Sequence, residues 1–88
     1  MAEEIEQITV NEAVMLRVKE LLKEKGISQY RLEINSGIPH SRMDFILKNR
    51  NKTVTFTTVI QLAKGFDMTL LQFLDSPHFT YDNLLGIE

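Results

Sequence analysis

Residues 40 to 48 read HSRMDFILK, a run that sets an imidazole, a hydroxyl, a carboxylate, an aromatic ring and an ammonium group close together. Wound as a helix at about 100° per residue, His40, Ser41, Asp44, Phe45 and Lys48 fall within about 140° of one another, and Met43, Ile46 and Leu47 fall on the other side. A purely solvated helix has no need of the phenylalanine, and a buried one has no place for the aspartate and lysine. Donors, acceptors, a cation and an apolar ring on one face are what base-edge recognition in a major groove requires. Hydrogen-bonding groups match purine and cytosine edges, and an apolar group matches the thymine methyl.

Other chemistries find little support. The chain has no cysteine, which removes disulfides and thiolate nucleophiles, and its two histidines, His40 and His78, have no partner at metal-ligand spacing. The four glycines, Gly26, Gly37, Gly65 and Gly86, sit singly where helices should end, so no phosphate-cradling loop exists. No nucleophile is paired with a base, and 88 residues are few for an enclosed pocket. The expectation is a non-enzyme without metal, cofactor or evident small-molecule ligand. Hydrophobic residues at 43% and charged residues at 25% describe one soluble globular domain, and the acidic start MAEEIEQITV lacks the features of a secretory signal. A non-exported, cytoplasmic protein is expected.

The formal net charge of −2 argues at first against a polyanionic partner, but its distribution reverses that. Residues 1–12 hold four acids (Glu3, Glu4, Glu6, Glu12) and no base, whereas residues 28–52 hold Arg31, Arg42, Lys48, Arg50 and Lys52 against Glu33 and Asp44, an excess of +3. Screening limits electrostatic reach to roughly 10 Å, so the local field decides docking.

Five helices must position this face. Thr9 and Glu12 form a capping box before the stripe Val14, Val18, Leu21 and Leu22, and Gly26 ends that helix. Ser28 caps a second helix from Gln29 to about Asn35, and Ser36-Gly37-Ile38 turns into a third, which starts at Pro39 or His40 and runs to about Lys48. Residues 49–55 read as a polar loop. Thr55 caps a fourth helix to about Phe66 that buries Val59, Leu62 and Ala63; Asp67 takes a left-handed turn position, and Thr69 with Gln72 boxes a fifth helix through Leu74. Met15, Met43 and Met68 read as core filler, and His78 as surface. The expected fold is all-α, a single compact domain with its core over about 9–76, an acidic arm at 1–8 and an apolar tail at 77–88.

The second and third helices, joined by a short turn with glycine, make a helix-turn-helix, in which the first helix crosses the backbone and the second lies in the groove. Gln29 and Tyr30 then stand at a helix N-terminus, a place where phosphate is bound. Gly26-Ile27-Ser28-Gln29, Leu32, Ser36-Gly37-Ile38, Ile46-Leu47 and the run through Val59, Leu62-Ala63, Phe66 to Leu70 and Phe73-Leu74 stand in an order and spacing that resembles the phage-repressor-like helix-turn-helix family of Xre/Cro-like, lambda-repressor-like regulators. The likeness covers about residues 13–78. It implies a five-helix domain, homodimeric binding to a palindromic double-stranded DNA operator, and control of transcription in a bacterium or phage, as a repressor. Its DNA contacts carry over to Gln29, to the exposed His40, Ser41, Asp44 and Phe45, and to Lys48, Arg50 and Lys52. Departures are Glu33, where the family often has alanine, so that the two helices either loosen or carry it exposed; Pro39 for the usual Ser or Thr cap; Asn49 for a common glycine; and Asp44, which repels phosphate.

His40, Ser41, Asp44 and Phe45 are thus the candidate base contacts, and Gln29, Tyr30, Arg42, Lys48, Arg50 and Lys52 the candidate phosphate contacts. Plainer roles compete: Phe45 could pack at the edge of the core, and Arg42, between the two faces, could be an ordinary exposed cation. The tail with Phe79, Tyr81, Leu84, Leu85 and Ile87 either packs on the first helix or forms a two-fold surface. The competing function is a protein-interaction module, antitoxin-like or an anti-regulator, that has the fold without DNA reading.

Overall fold

A computed structural model describes residues 7–50 and 53–86. It has α1 (Val10–Lys25), α2 (Gln29–Ser36), α3 (His40–Leu47), α4 (Phe56–Gly65) and α5 (Leu70–Leu74), followed by two 3-10 turns at Pro77–Phe79 and Tyr81–Asn83. The acids Glu3, Glu4 and Glu6 of the proposed arm, Lys52, and Ile87 of the tail lie outside the described residues.

The helix starts follow local chemistry. Thr9 Oγ1 accepts from the Glu12 N–H at 3.1 Å while the Glu12 carboxylate accepts from the Thr9 N–H at 3.5 Å, and Thr69 with Gln72 repeats the arrangement at α5. Ser28 and Thr55 cap α2 and α4 through single hydroxyls. Pro39 is the N-cap of α3 and not its first helical residue; its φ of −60° is compatible with the extended cap conformation, but it has no side chain able to cap.

The apolar positions converge on one core. Val14, Val18 and Leu21 from α1 meet Leu32 from α2, Ile38 from the turn, Met43 and Ile46 from α3, Val59, Leu62, Ala63 and Phe66 from α4 and Phe73 from α5. Met15 and Met68 are only half-buried, unlike Met43.

The helix-turn-helix angle depends on Gly37, whose φ of 76° lets the chain leave α2 at once; Ile38 then drops into the core at 1% exposure. Among the described non-glycine residues, Asn49 and Asp67 hold left-handed turns, at φ 54° and 56°.

Gly65 behaves differently from its placement as a helix terminator. It is the last residue of α4, and the left-handed residue that follows that helix is Asp67.

The tail packs back. Phe79 joins the core edge with its ring centroid 6.2 Å from that of Phe73, and Leu84 is buried at 7% exposure. Ile8 donates to the Asn83 carbonyl at 2.9 Å and accepts from the Leu85 N–H at 2.8 Å, so an isolated parallel bridge seats the tail beside the start of α1. Tyr81 and Leu85 remain exposed. His78, read as surface, is half-buried, with Nε2 3.5 Å from a Glu20 carboxylate oxygen.

Candidate nucleic-acid interface

The helical wheel of α3 is realised in the structure. Met43 and Ile46 are buried at 0% and 2%, while His40, Ser41, Arg42 and Lys48 are exposed and Phe45 is half exposed at 50%. Phe45 therefore does not fold under the domain. Asp44 lies on the same face and receives the Lys48 ammonium at 2.9 Å. The hydrogen bond from Lys48 holds the Asp44 carboxyl below its ordinary range, aided by the charges of Lys48, His40 and Arg50. The repulsion that Asp44 would exert on phosphate is thus partly met within the protein, at the expense of a lysine that could have faced DNA.

At the other end of the interface α2 begins. Ser28 accepts from the Arg31 N–H at 3.1 Å, and the first-turn N–H groups of Gln29 and Tyr30 stand outside the helix's own ladder. Tyr30 is 71% exposed. Gln29 is half-buried, because its amide donates to the Glu33 carboxylate at 2.9 Å. Glu33 neither loosens the pair of helices nor hangs in solvent: its side chain is only 11% exposed, and the same oxygen lies 2.8 Å from His40 Nδ1. That contact pushes the His40 imidazole up from its ordinary range and the Glu33 carboxyl down.

Arg50 is exposed just past α3, its N–H donating to the Phe45 carbonyl at 2.9 Å, which closes the last turn of the helix. The loop beyond is anchored to α1, since Asn11 Oδ1 accepts from the Val54 N–H at 3.0 Å. Nine of the ten residues singled out from sequence lie in the described part, on α2, α3 or the segment just after α3. Among the described residues no group of acids and histidines is arranged to hold a metal ion, and no helix is long and apolar enough to cross a membrane.

A family model for the Cro/C1-type HTH DNA-binding domain matches residues 17–77, from the middle of α1 to the first 3-10 turn. The chain belongs to this family. No curated protein matches the chain, and no solved structure does. The Cro/C1-type match spans both helices of the helix-turn-helix together with the α4 and α5 that brace them.

Glu33 was the one participant whose role the sequence did not disclose. Its i, i+4 spacing from Gln29 was a usable signal for a side-chain pair. The bond to His40 was not legible, because it crosses the turn and depends on the angle set at Gly37.

Proposed function

We propose that the protein is a sequence-specific regulator of transcription that binds double-stranded DNA, inserts α3 into the major groove and acts as a repressor, in a non-catalytic, cytoplasmic role in a bacterium or phage. The observation that carries this reading is the exposed face of α3, where His40, Ser41, Asp44 and Phe45 stand clear of a core sealed by Met43 and Ile46. Direct readout needs such a mixture on a helix that fits the groove. Gln29, Tyr30, Arg42, Lys48, Arg50 and Lys52 are the phosphate contacts in this reading. One α3 offers too few base-reading side chains for useful discrimination, so the working form is a homodimer on a palindromic operator.

Selection from a random duplex library tests the proposal. The wild type is expected to enrich a palindromic site, and Ser41→Ala/Phe45→Ala to bind that site at least about tenfold more weakly, since each good base contact is worth about 1–3 kcal/mol. Enrichment of nothing, even at low salt, would point instead to the protein-interaction module.

A second expectation concerns Asp44. In Asp44→Asn the Lys48 ammonium is released from its 2.9 Å ion pair and a repelling charge is gone. Non-specific duplex affinity should rise, and the log–log salt dependence should steepen by about one further phosphate contact, roughly −0.9 in slope. Titration of a mixed-sequence duplex at several salt concentrations checks it; an unchanged slope would show that Lys48 does not reach phosphate.

A further inference from the structure

The first residues of α2 and α3 are tied to one atom. Glu33 Oε2 accepts from Gln29 Nε2 at 2.9 Å and lies 2.8 Å from His40 Nδ1. The carboxylate is nearly covered, its side chain 11% exposed, while the imidazole it holds is 73% exposed. A covered carboxylate oxygen needs hydrogen-bonding partners, and here Oε2 has both of its own from the side chains at the first positions of α2 and α3.

We propose that Glu33 is a positioning residue for DNA contact, bracing Gln29 and His40 into one unit whose remaining hydrogen-bonding groups face the duplex in a fixed orientation. The inference rests on the regulator reading above. A carboxylate can only accept, so it dictates what its partners present. Gln29 must offer an amide N–H to it, leaving its second N–H and its carbonyl oxygen. His40 must carry a proton on Nδ1, leaving Nε2 outward. With the ring charged, Nε2–H donates, to a phosphate or to the acceptor edge of a guanine; with the ring neutral, Nε2 accepts and the Glu33–His40 pair turns a net negative charge toward the duplex.

The groups acting on His40 are Glu33 from α2 and, from its own helix, Asp44, which also favours the charged ring, and Lys48, which opposes it. The other helix packed on α3, α1, supplies none of the main influences. Glu33 thus moves the loss of the His40 charge to higher pH, and DNA affinity should be high below that raised pKa and fall as pH rises through it.

The experiment compares wild type, Glu33→Gln and His40→Gln in two measurements, with circular dichroism confirming that each is folded. One is the NMR titration of the His40 ring protons; the other is affinity for the duplex enriched by the wild type, followed across pH at constant ionic strength. The expected result is a His40 midpoint that moves down in Glu33→Gln. Wild-type affinity should fall about twofold to fivefold through its own His40 titration, the scale of one exposed charge pair; in Glu33→Gln the fall should move down in pH with the His40 midpoint, and His40→Gln should be flat.

An unmoved midpoint in Glu33→Gln overturns the brace itself. A moved midpoint with superimposable affinity profiles overturns the positioning role and leaves the regulator reading standing. Should Glu33→Gln fail to fold, His40→Gln decides alone, and retention of the wild-type pH dependence in it overturns the proposal. A wild type that enriches no duplex overturns both readings together.

Discussion

Arg17→Ala is expected to lower stability by about 3 kcal/mol, the largest loss from any single charged side chain among the described residues. Arg17 is 8% exposed on α1, and its guanidinium reaches across to the end of α5: Nε donates to the Phe73 carbonyl at 2.7 Å and Nη2 to the Gln72 carbonyl at 2.9 Å. Those carbonyls belong to the last turn of a five-residue helix, where the backbone leaves acceptors unpaired and the helix end is partly negative. The planar fork satisfies both at once, and Nη1 is occupied by Glu20 at 2.6 Å. Removing it strands the buried Phe73 carbonyl, while the Gln72 carbonyl keeps the Asp75 N–H at 3.3 Å and Glu20, which is 42% exposed, is free to hydrate.

For a domain of this size the loss should lower Tm by about 15 °C, measurable by thermal denaturation. Arg17→Lys should recover only part, since an ammonium cannot address two carbonyls in the same plane. A change of less than about 1 kcal/mol in Arg17→Ala would mean that water replaces the guanidinium at no cost. The pH dependence has a definite sign. The hydrogen bond from Arg17, with smaller help from His78, lowers the Glu20 pKa. That contribution is present above the unfolded carboxylate range and is lost only as pH falls through the lowered value. It is small, because Glu20 is largely solvated.

The contrast between Arg17 and α3 shows what a sequence of this kind discloses. The helices were legible because their signals are local: hydroxyl caps at Thr9, Ser28, Thr55 and Thr69, and apolar spacing in α1 and α4. The outward side of α3 was legible for the same reason, since a helical wheel separates His40, Ser41, Asp44 and Phe45 from Met43 and Ile46 without any tertiary knowledge. Arg17 was silent. Its partners are backbone carbonyls 55 and 56 positions away, and every residue has a carbonyl. Glu33 was half legible, as a departure with an uncertain consequence, because its bond to His40 exists only once α2 and α3 are set at their angle. The tail left two choices open from sequence, and the pairing of Ile8 with Leu84 across nearly the whole chain settles how its first part packs.

Gly65 is the second position where a single atom should have a large effect, and the direction runs against local propensity. A glycine near the end of a helix ordinarily gains about 1 kcal/mol on replacement by alanine. Here a Cβ would stand 2.8 Å from Leu32 Cδ1, 2.8 Å from Ser36 Cβ and 3.3 Å from Ser36 Cα. Leu32 is 0% exposed with core on every side, and the Ser36 atoms are tied to the α2 backbone, so neither can rotate away. The packing of α2 on α4 would have to open instead, and with it the bond from Asn35 Nδ2 to the Gly65 carbonyl at 3.4 Å.

Overpacking of this kind costs about 1–3 kcal/mol, and two approaches at 2.8 Å put this site toward the upper end, so against a propensity gain of about 1 kcal/mol Gly65→Ala should be destabilised by up to about 2 kcal/mol net in urea or thermal unfolding. Because α2 is displaced as a body, the spacing between the start of α2 and the outward face of α3 should change as well. Duplex affinity is therefore expected to fall even at temperatures where the variant is fully folded. A variant that is instead stabilised by about 1 kcal/mol would show that the α2–α4 gap opens freely, and that the helix-turn-helix does not depend on α4 for its placement.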